Sequence, residues 1–160
     1  MNVAIYPGSF DPITLGHIDL ITRALNIFDQ VVVLVAQSSR KQYMFNSRER
    51  KDLIVKALGK RKNVKVEAWD GLTTDFAKKT GAKIILRGVR SSTDFDHEIV
   101  LAQMNKKLAP DLETCVFFPS AEFQFIASSA IKEIAKAGGD LEAFVPSNVV
   151  KALKEKYARR

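Results

Sequence analysis

The sequence predicts an α/β protein with a doubly wound, five-stranded parallel sheet in the order 3-2-1-4-5. Short apolar runs typical of buried strands alternate along the chain with segments whose apolar residues recur every three or four positions, as on one face of a helix. The connections between these segments are short, which favours parallel strands joined by helical crossovers. With 160 residues, of which 46% are hydrophobic, the chain is long enough for one domain, expected to span residues 1–160.

Five runs are rich in β-branched and apolar residues and are predicted to be strands. The run "QVVVLVAQ" at residues 30–37 is almost entirely apolar, as in a strand covered on both faces. The other four are predicted at residues 2–6, 63–69, 82–87 and 113–118. Residues 125–127 are also expected to end a strand, directly before a helix that starts at Ser128.

Helices are predicted between and after these strands, and this alternation of strands and helices is typical of a Rossmann-like fold. Asn46 and Glu49 have the spacing of a capping box, Gly81 is a candidate C-cap, and Pro110 is expected to stop a long helix. The predicted helices span residues 16–28, 46–58, 73–81, 94–108, 128–139 and 146–158.

Composition narrows the class of partner. The net charge of +7 favours anionic partners, although a basic, well-solvated surface would look the same. No aromatic RNA-recognition motif is visible, so nucleic acid is not expected as a partner. The single cysteine, Cys115, excludes an internal disulfide, and there is neither a recognisable signal peptide nor an apolar run of the roughly 20 residues that cross a bilayer. We therefore expect a cytoplasmic protein that does not bind membranes.

The predicted strand order locates a ligand site. In an open α/β sheet, ligands bind beyond the carboxyl ends of the strands where the strand order reverses. Here the reversal falls between the first and fourth strands. The loops that follow them, "YPGSFDPITLGH" at residues 6–17 and "RGVR" at residues 87–90, are the most unusual in the chain and are expected to face each other.

The first loop offers hydrogen-bond donors to an anion. Ser9 and Phe10 can direct backbone N–H groups inward, and His17 lies in the first turn of a helix, where a phosphate is favoured. No second histidine or cysteine lies at ligand spacing, so His17 is interpreted as a donor rather than a metal ligand; the alternative is that it caps or packs. Asp11 is interpreted as a turn former, with pairing to a cation as the alternative.

Three cations are expected at the same sheet edge. The guanidinium of an arginine can donate two hydrogen bonds to the oxygens of one phosphate, and Arg87 and Arg90 are predicted to bind two different phosphates. The alternative is that both arginines lie on the surface without a ligand. Lys41, after the second strand, is the third cation. Ser128 and Ser129 begin a further helix at this edge, where they bind an anion or simply cap the helix. Glu98 could bind ribose hydroxyls or pair with a neighbouring cation.

Together these motifs resemble those of bacterial phosphopantetheine adenylyltransferases. The T-x-G-H motif of Thr14–His17 marks the wider nucleotidyltransferase superfamily, and "RGVR", "DFDHE", "MNKKL" and "FIASSAIKEIA" narrow the resemblance to this family. The resemblance runs from Asn2 to about Tyr157. It implies transfer of the adenylyl group of ATP to 4′-phosphopantetheine, giving dephospho-coenzyme A and pyrophosphate, with Mg²⁺ as cofactor and no covalent intermediate.

The resemblance also implies roles for individual residues. His17, Lys41 and Arg90 would be catalytic, with His17 stabilising charge on the α-phosphate. The phosphopantetheine subsite would hold Ser9, Lys41, Thr73 and Arg87. The ATP site would be lined by Ser9, Phe10, His17, Gly88, Val89, Arg90, Glu98, Phe123, Gln124, Phe125, Ile126, Ala127, Ser128 and Ser129. No side chain is expected to ligate the metal. Ala127 departs from the family, which commonly has a third serine there.

Two other functions remain open from the residues alone. One is a related nucleotidyltransferase with a different phosphate acceptor, and the other is a nucleotide- or RNA-binding module without catalysis. The resemblance further implies a homohexamer and feedback binding of coenzyme A.

Overall fold

The computed structural model describes residues 1–38 and 42–158, and its centre is a five-stranded parallel sheet. The strand order is β3-β2-β1-β4-β5, as the sequence predicts. Every pair of neighbouring strands is parallel. The strands are β1 (Val3–Gly8), β2 (Gln30–Ala36), β3 (Val64–Trp69), β4 (Ile84–Gly88) and β5 (Glu113–Phe117).

Helices separate the strands and complete the chain. They are α1 (Leu15–Ala24), α2 (Ser47–Leu58), α3 (Thr73–Thr80), α4 (Ser92–Leu108), α5 (Ser128–Lys136) and α6 (Ser147–Ala158). The predicted capping box is confirmed, because Asn46 accepts from the N–H of Glu49 at 2.9 Å and its own N–H donates to Glu49 at 2.8 Å. Gly81 ends α3 in the left-handed conformation, with φ of +70°, also as predicted.

Two sequence predictions about local structure are wrong. The first helix was expected to reach residue 28, but α1 ends at Ala24 and the chain turns so that Phe28 packs into the core. Residues 125–127 do not end a strand, because β5 stops at Phe117 and a 3₁₀ turn at Ala121–Phe123 precedes α5. In both places the chain turns and buries one apolar residue of the run, Phe28 or Ile126, instead of continuing a regular element, and periodicity does not reveal such turns.

Alternate side chains of the strands pack into two cores, one on each face of the sheet. On one face, Val31 and Val33 pack with apolar residues of α1, α2, α5 and α6. On the other, Val32 and Leu34 pack with Phe76 of α3 and with the segment after α4. This two-sided covering makes the sheet doubly wound. It also explains why β2 has a continuous apolar sequence.

The strand order brings two loops together. Because β1 lies between β2 and β4, the loops that follow β1 and β4 emerge side by side at the carboxyl edge of the sheet.

Over the part of the chain described, no helix has the combined length and apolar character needed to span a bilayer.

Candidate active site

Two adjoining cavities open at this carboxyl edge. The first, called here the β4-side cavity, has a volume of about 280 Å³ and is lined by residues that include Arg87, Gly88, Arg90 and Ser129. The second, the β2-side cavity, has a volume of about 320 Å³ and is lined by Ser9, Asp11, Gln42, Tyr43 and Lys132. Phe10, His17 and Ser128 line both cavities. The histidine singled out in the sequence therefore lies where the two cavities meet.

The hydrogen bonds of His17 define which ring nitrogen carries the proton. The backbone N–H of Thr14 donates to Nδ1 of His17 across 3.0 Å, so Nδ1 is an acceptor without a proton. In a neutral imidazole the other nitrogen then bears the hydrogen. His17 consequently offers an Nε2–H donor. The capping interpretation of His17 is also correct, because its own N–H donates to the Thr14 hydroxyl and completes a capping box.

The surroundings of His17 keep it neutral. Burial, and secondarily the nearby positive charge of Arg90, lower the pKa of the imidazole from its usual 6.5 to about 4. The ring packs edge-on against Phe10, with centroids 5.1 Å apart. At neutral pH the side chain is thus an oriented hydrogen-bond donor and not a cation.

The two helix N-termini at the site differ in their capacity for an anion. At α1, the N–H of Leu15 donates to Phe144 O and the N–H of His17 donates to Thr14, so the first turn is largely occupied. At α5, the N-cap residue Ala127 supplies no side-chain acceptor. Among the described residues, the first-turn N–H groups of α5 have no acceptor and so remain available to an anion; at α1, only the N–H of Gly16 does.

Ser128 does not cap its helix. Its hydroxyl donates instead to the carbonyl of Pro12 at 2.8 Å, joining α5 to the loop after β1. The capping alternative considered for Ser128 is therefore wrong, since a nearby carbonyl competes for the hydroxyl hydrogen.

Arg87 is held from two directions. Its Nε and Nη2 donate to the two carboxylate oxygens of Glu98 at 2.7 and 2.5 Å, and its Nη1 donates to the carbonyl of Pro7 at 2.8 Å. Glu98 is buried. Of the two sequence interpretations of Glu98, pairing with a cation is the one that the structure shows. A planar guanidinium held on both sides has little freedom to reorient.

Arg90 is fixed by the segment that leads into α5. Its Nη1 donates to the carbonyl of Ile126 at 3.0 Å and its Nε to Asp94 at 3.3 Å. Gln124 in turn donates to the carbonyl of Arg90 at 3.0 Å. Arg87 and Arg90 both line the β4-side cavity. If the two arginines bind different phosphates, as the sequence predicts, both phosphates must enter this one cavity.

Asp11 joins three parts of the site. Its buried carboxylate accepts from the N–H groups of Met44 and Phe45, both at 2.9 Å, and from Nζ of Lys132 at 3.1 Å. The sequence favoured a turn role for Asp11. Asp11 does lie in a turn, but its carboxylate is committed to these cross-loop partners, including a cation. The loop after β1, the segment before α2 and helix α5 are thereby tied together.

Several of the predicted site residues that the structure describes line neither cavity; Lys41 lies outside the described residues. Thr73 begins α3 and lines neither cavity. The side chain of Val89 is buried and its N–H donates to the carbonyl of Phe117, whereas Phe125 is 69% exposed. Phe123, Ile126 and Ala127 do line the β4-side cavity, together with the predicted Ser128 and Ser129.

Sequence reasoning missed Lys132, Thr14 as a partner of the histidine, and Arg50. Lys132 could have been found, because it lies four residues after Ser128 and so on the same face of α5. Thr14 was recognised only as a member of the T-x-G-H motif, with no role of its own. Arg50 gives no local signal, because it lies in α2 among other charged residues and its burial is tertiary.

Comparisons with known proteins agree with this architecture. The family described as cytidylyltransferase-like matches residues 5–134. A phosphopantetheine adenylyltransferase of Bdellovibrio bacteriovorus is 53% identical over 158 residues, covering 99% of both chains. One from Desulforudis audaxviator is 48% identical and covers 100% of this chain and 98% of its own.

Solved structures show the same fold at much lower identity. The crystal structure of a putative nicotinate-nucleotide adenylyltransferase from Vibrio parahaemolyticus superposes with a TM-score of 0.70 at 19% identity, covering 100% of this chain and 97% of the other. The nicotinic acid mononucleotide adenylyltransferase of Plasmodium falciparum, complexed with NaAD, gives 0.69 at 17% identity, covering 96% and 95%. At such identities the likeness concerns the fold alone.

Proposed function

Because this chain belongs to the phosphopantetheine adenylyltransferases, within the cytidylyltransferase-like family, we propose a mechanism for its site on that premise. The enzyme transfers the adenylyl group of ATP to 4′-phosphopantetheine and releases pyrophosphate. We propose that a phosphate oxygen of phosphopantetheine attacks the α-phosphorus in line, forming the new P–O bond as the bond to pyrophosphate breaks. No residue becomes covalently linked to the nucleotide.

The observation that carries the mechanism is the position of His17 between two cavities. Each reactant brings a phosphate, and the two phosphates must meet where the reaction occurs. A neutral Nε2–H donor at the junction suits an oxygen of the α-phosphate, where negative charge builds up in the transition state. Since His17 is an oriented donor, it supplies charge stabilisation without transferring a proton.

Positive groups around the junction support the approach of two anions. Arg87 and Arg90 are oriented by protein acceptors before any substrate arrives, and Lys132 lines the β2-side cavity. The uncapped N-terminus of α5 adds backbone donors. These fixed charges thus offset the repulsion between the attacking and leaving phosphates. Such charge stabilisation, together with positioning, is the principal task of an enzyme in phosphoryl transfer. Lys41 stays assigned to the phosphopantetheine phosphate, and Thr73 to the same subsite.

Magnesium is proposed to enter as MgATP. Among the described residues that line the two cavities, Asp11 is the only carboxylate; it lines the β2-side cavity, and its oxygens already accept three N–H donors. Mg²⁺ readily binds through substrate phosphates and waters, and such a metal would neutralise charge on the departing pyrophosphate.

The function is tested by pyrophosphate release from MgATP, measured with and without 4′-phosphopantetheine. Nicotinamide mononucleotide and glycerol 3-phosphate serve as control acceptors. Release that depends on phosphopantetheine alone is expected. Release with another acceptor would reassign the substrate, and binding of ATP without release for any acceptor would favour the non-catalytic alternative.

We also propose a cytoplasmic homohexamer that binds coenzyme A as a feedback ligand. An exposed apolar surface supports assembly, since the side chains of α4 that are 41–57% exposed include Phe95, Ile99, Val100, Met104 and Leu108. A surface of this kind usually marks a protein interface. Light scattering should give six chains per particle, and coenzyme A should compete with phosphopantetheine in the pyrophosphate assay.

A further inference from the structure

Arg50 is a charged residue buried beneath the site. It lies in α2, its relative exposure is 0%, and it lines neither cavity. Its Nη1 donates to the carbonyl of Ser9 at 2.6 Å and to the carbonyl of Ala36 at 3.0 Å. Its guanidinium carbon lies 4.0 Å from the centre of the Tyr43 ring. One side chain therefore contacts the loop after β1, the end of β2 and the segment before α2.

The bond to Ser9 determines the direction of the following N–H. In a trans peptide the C=O and the N–H point in opposite directions, and the Ser9–Phe10 bond is trans. The carbonyl of Ser9 points toward the buried Arg50, so the N–H of Phe10 points away from it. Throughout residues 1–38 and 42–158, no acceptor is found for this N–H. Phe10 lines both cavities, whereas Ser9 lines the β2-side cavity.

The backbone at Phe10 is strained. Its φ is +47°, a left-handed conformation that non-glycine residues seldom adopt. The ring of Phe10 is packed edge-on against Tyr6 and His17, with centroid separations of 5.3 and 5.1 Å. Two constraints thus hold Phe10 in this conformation: its ring contacts and the Arg50 bond to the preceding carbonyl.

Arg50 is poorly explained as a stabilising residue. Within residues 1–38 and 42–158, its Nε and Nη2 are buried without a hydrogen-bond partner, and a buried cation with unmet donors generally destabilises a fold compared with an apolar side chain of similar volume. A group retained in this way points to a task other than packing. The task that its contacts define is the orientation of the Ser9–Phe10 peptide.

We propose that Arg50 is a positioning residue for adenylyl transfer, which holds the Ser9–Phe10 peptide so that the N–H of Phe10 faces a phosphate oxygen of bound ATP. The proposal rests on the function proposed above. Arg50 itself touches neither substrate.

The test compares Arg50→Met and Arg50→Lys with Ile54→Val, a matched control one turn along α2 that is also fully buried but has no side-chain donor for the Ser9 carbonyl. ATP affinity is measured by calorimetry, and KM and kcat are measured for both substrates at a temperature where circular dichroism shows every variant folded. For Arg50→Met we expect ATP affinity to fall at least about tenfold and kcat/KM for ATP to fall about 10- to 100-fold, with the KM for phosphopantetheine within about threefold. Arg50→Lys, which retains a donor and the charge, should recover part of the loss.

Other outcomes overturn the proposal. ATP affinity of Arg50→Met within about twofold of the unmodified enzyme would do so, and so would equal losses for both substrates that Ile54→Val reproduces at a similar melting temperature. If Arg50→Met does not fold, Arg50→Gln is judged by the same criteria. An unmodified enzyme that releases no pyrophosphate would instead refute the proposed function, before any variant is compared.

Discussion

Thr14 and His17 cap each other at the start of α1: the N–H of Thr14 donates to Nδ1 of His17, and the N–H of His17 donates to the hydroxyl oxygen of Thr14. This reciprocal pair leaves Nε2–H as the free donor and fixes the plane of the ring. A capping interaction that looks purely structural therefore also sets the chemistry of the side chain. Two predictions follow from it directly.

Replacing His17 should remove transition-state stabilisation rather than binding. We expect His17→Ala to lower kcat by about two to three orders of magnitude, as for the loss of one preorganised donor, with the KM for ATP changed by no more than about threefold. Steady-state pyrophosphate release measures both quantities. The control is His97→Ala, which changes the other histidine of the chain, exposed on α4. A His17→Ala enzyme with nearly normal turnover would contradict the assigned role.

The imidazole of His17 should titrate far below the usual range. Its pKa near 4, against 6.5 in an unfolded chain, means that the unfolded state binds more protons between these pH values. Stability should therefore fall as the pH is lowered through this window, by up to about 1.4 kcal/mol per pH unit. Histidine NMR resonances, assigned with His17→Ala, give the midpoint in the free enzyme. A midpoint near 6.5 would show that neither burial nor Arg90 acts as described.

Breaking the Asp11–Lys132 pair should loosen the site. Lys132→Met leaves a buried carboxylate with only its two backbone donors, and we expect a loss of about 1–3 kcal/mol in the free energy of unfolding, since Lys132 is itself partly solvated. Urea denaturation measures the loss. Lys136→Met, an exposed lysine one turn further along α5, provides the comparison. Equal stability of the two variants would mean that the pair contributes nothing measurable.

A double-mutant cycle can separate the two interpretations of Glu98. If Glu98 acts by holding Arg87, then Glu98→Gln and Arg87→Met should be strongly non-additive in the KM for phosphopantetheine, with a coupling energy of about 1 kcal/mol or more. If Glu98 binds the ribose of ATP directly, Glu98→Gln should raise the KM for ATP even when Arg87 is already replaced. The first result is expected from the bidentate geometry.

Much of the fold could be predicted because the local patterns agree with the tertiary arrangement. The capping box at Asn46 and the left-handed Gly81 depend on neighbours within four residues, so they are legible in sequence. The strand order could also be predicted from the sequence, because a chain of alternating strands and helices can adopt few topologies. The predictions were wrong where an apolar run lies in a turn or an irregular segment instead of a helix or strand, as at residues 25–28 and 125–127.

The candidate site was only partly predictable, for a related reason. His17, Arg87 and Arg90 lie in or directly beside the two unusual loops, and the predicted topology correctly placed those loops together. The distant partners could not be predicted: Thr14 is only three residues from His17, but Pro7 lies 80 residues from Arg87. Lys132 approaches Asp11 across 121 residues, a separation over which a single sequence carries no pairing signal.

By itself the sequence determined the sheet, its edge and the residue types that gather there, because periodicity, capping and chain connectivity are local or topological. Only the tertiary structure decided which nitrogen of His17 carries the proton, that α5 offers more unpaired first-turn N–H groups than α1 among the described residues, and that Arg50 is buried under Ser9. These properties depend on hydrogen-bond direction and on burial. The Thr14–His17 contact is local, but the spacing of the two residues does not reveal the direction of its hydrogen bonds, and the burial of Arg50 arises only when distant segments pack.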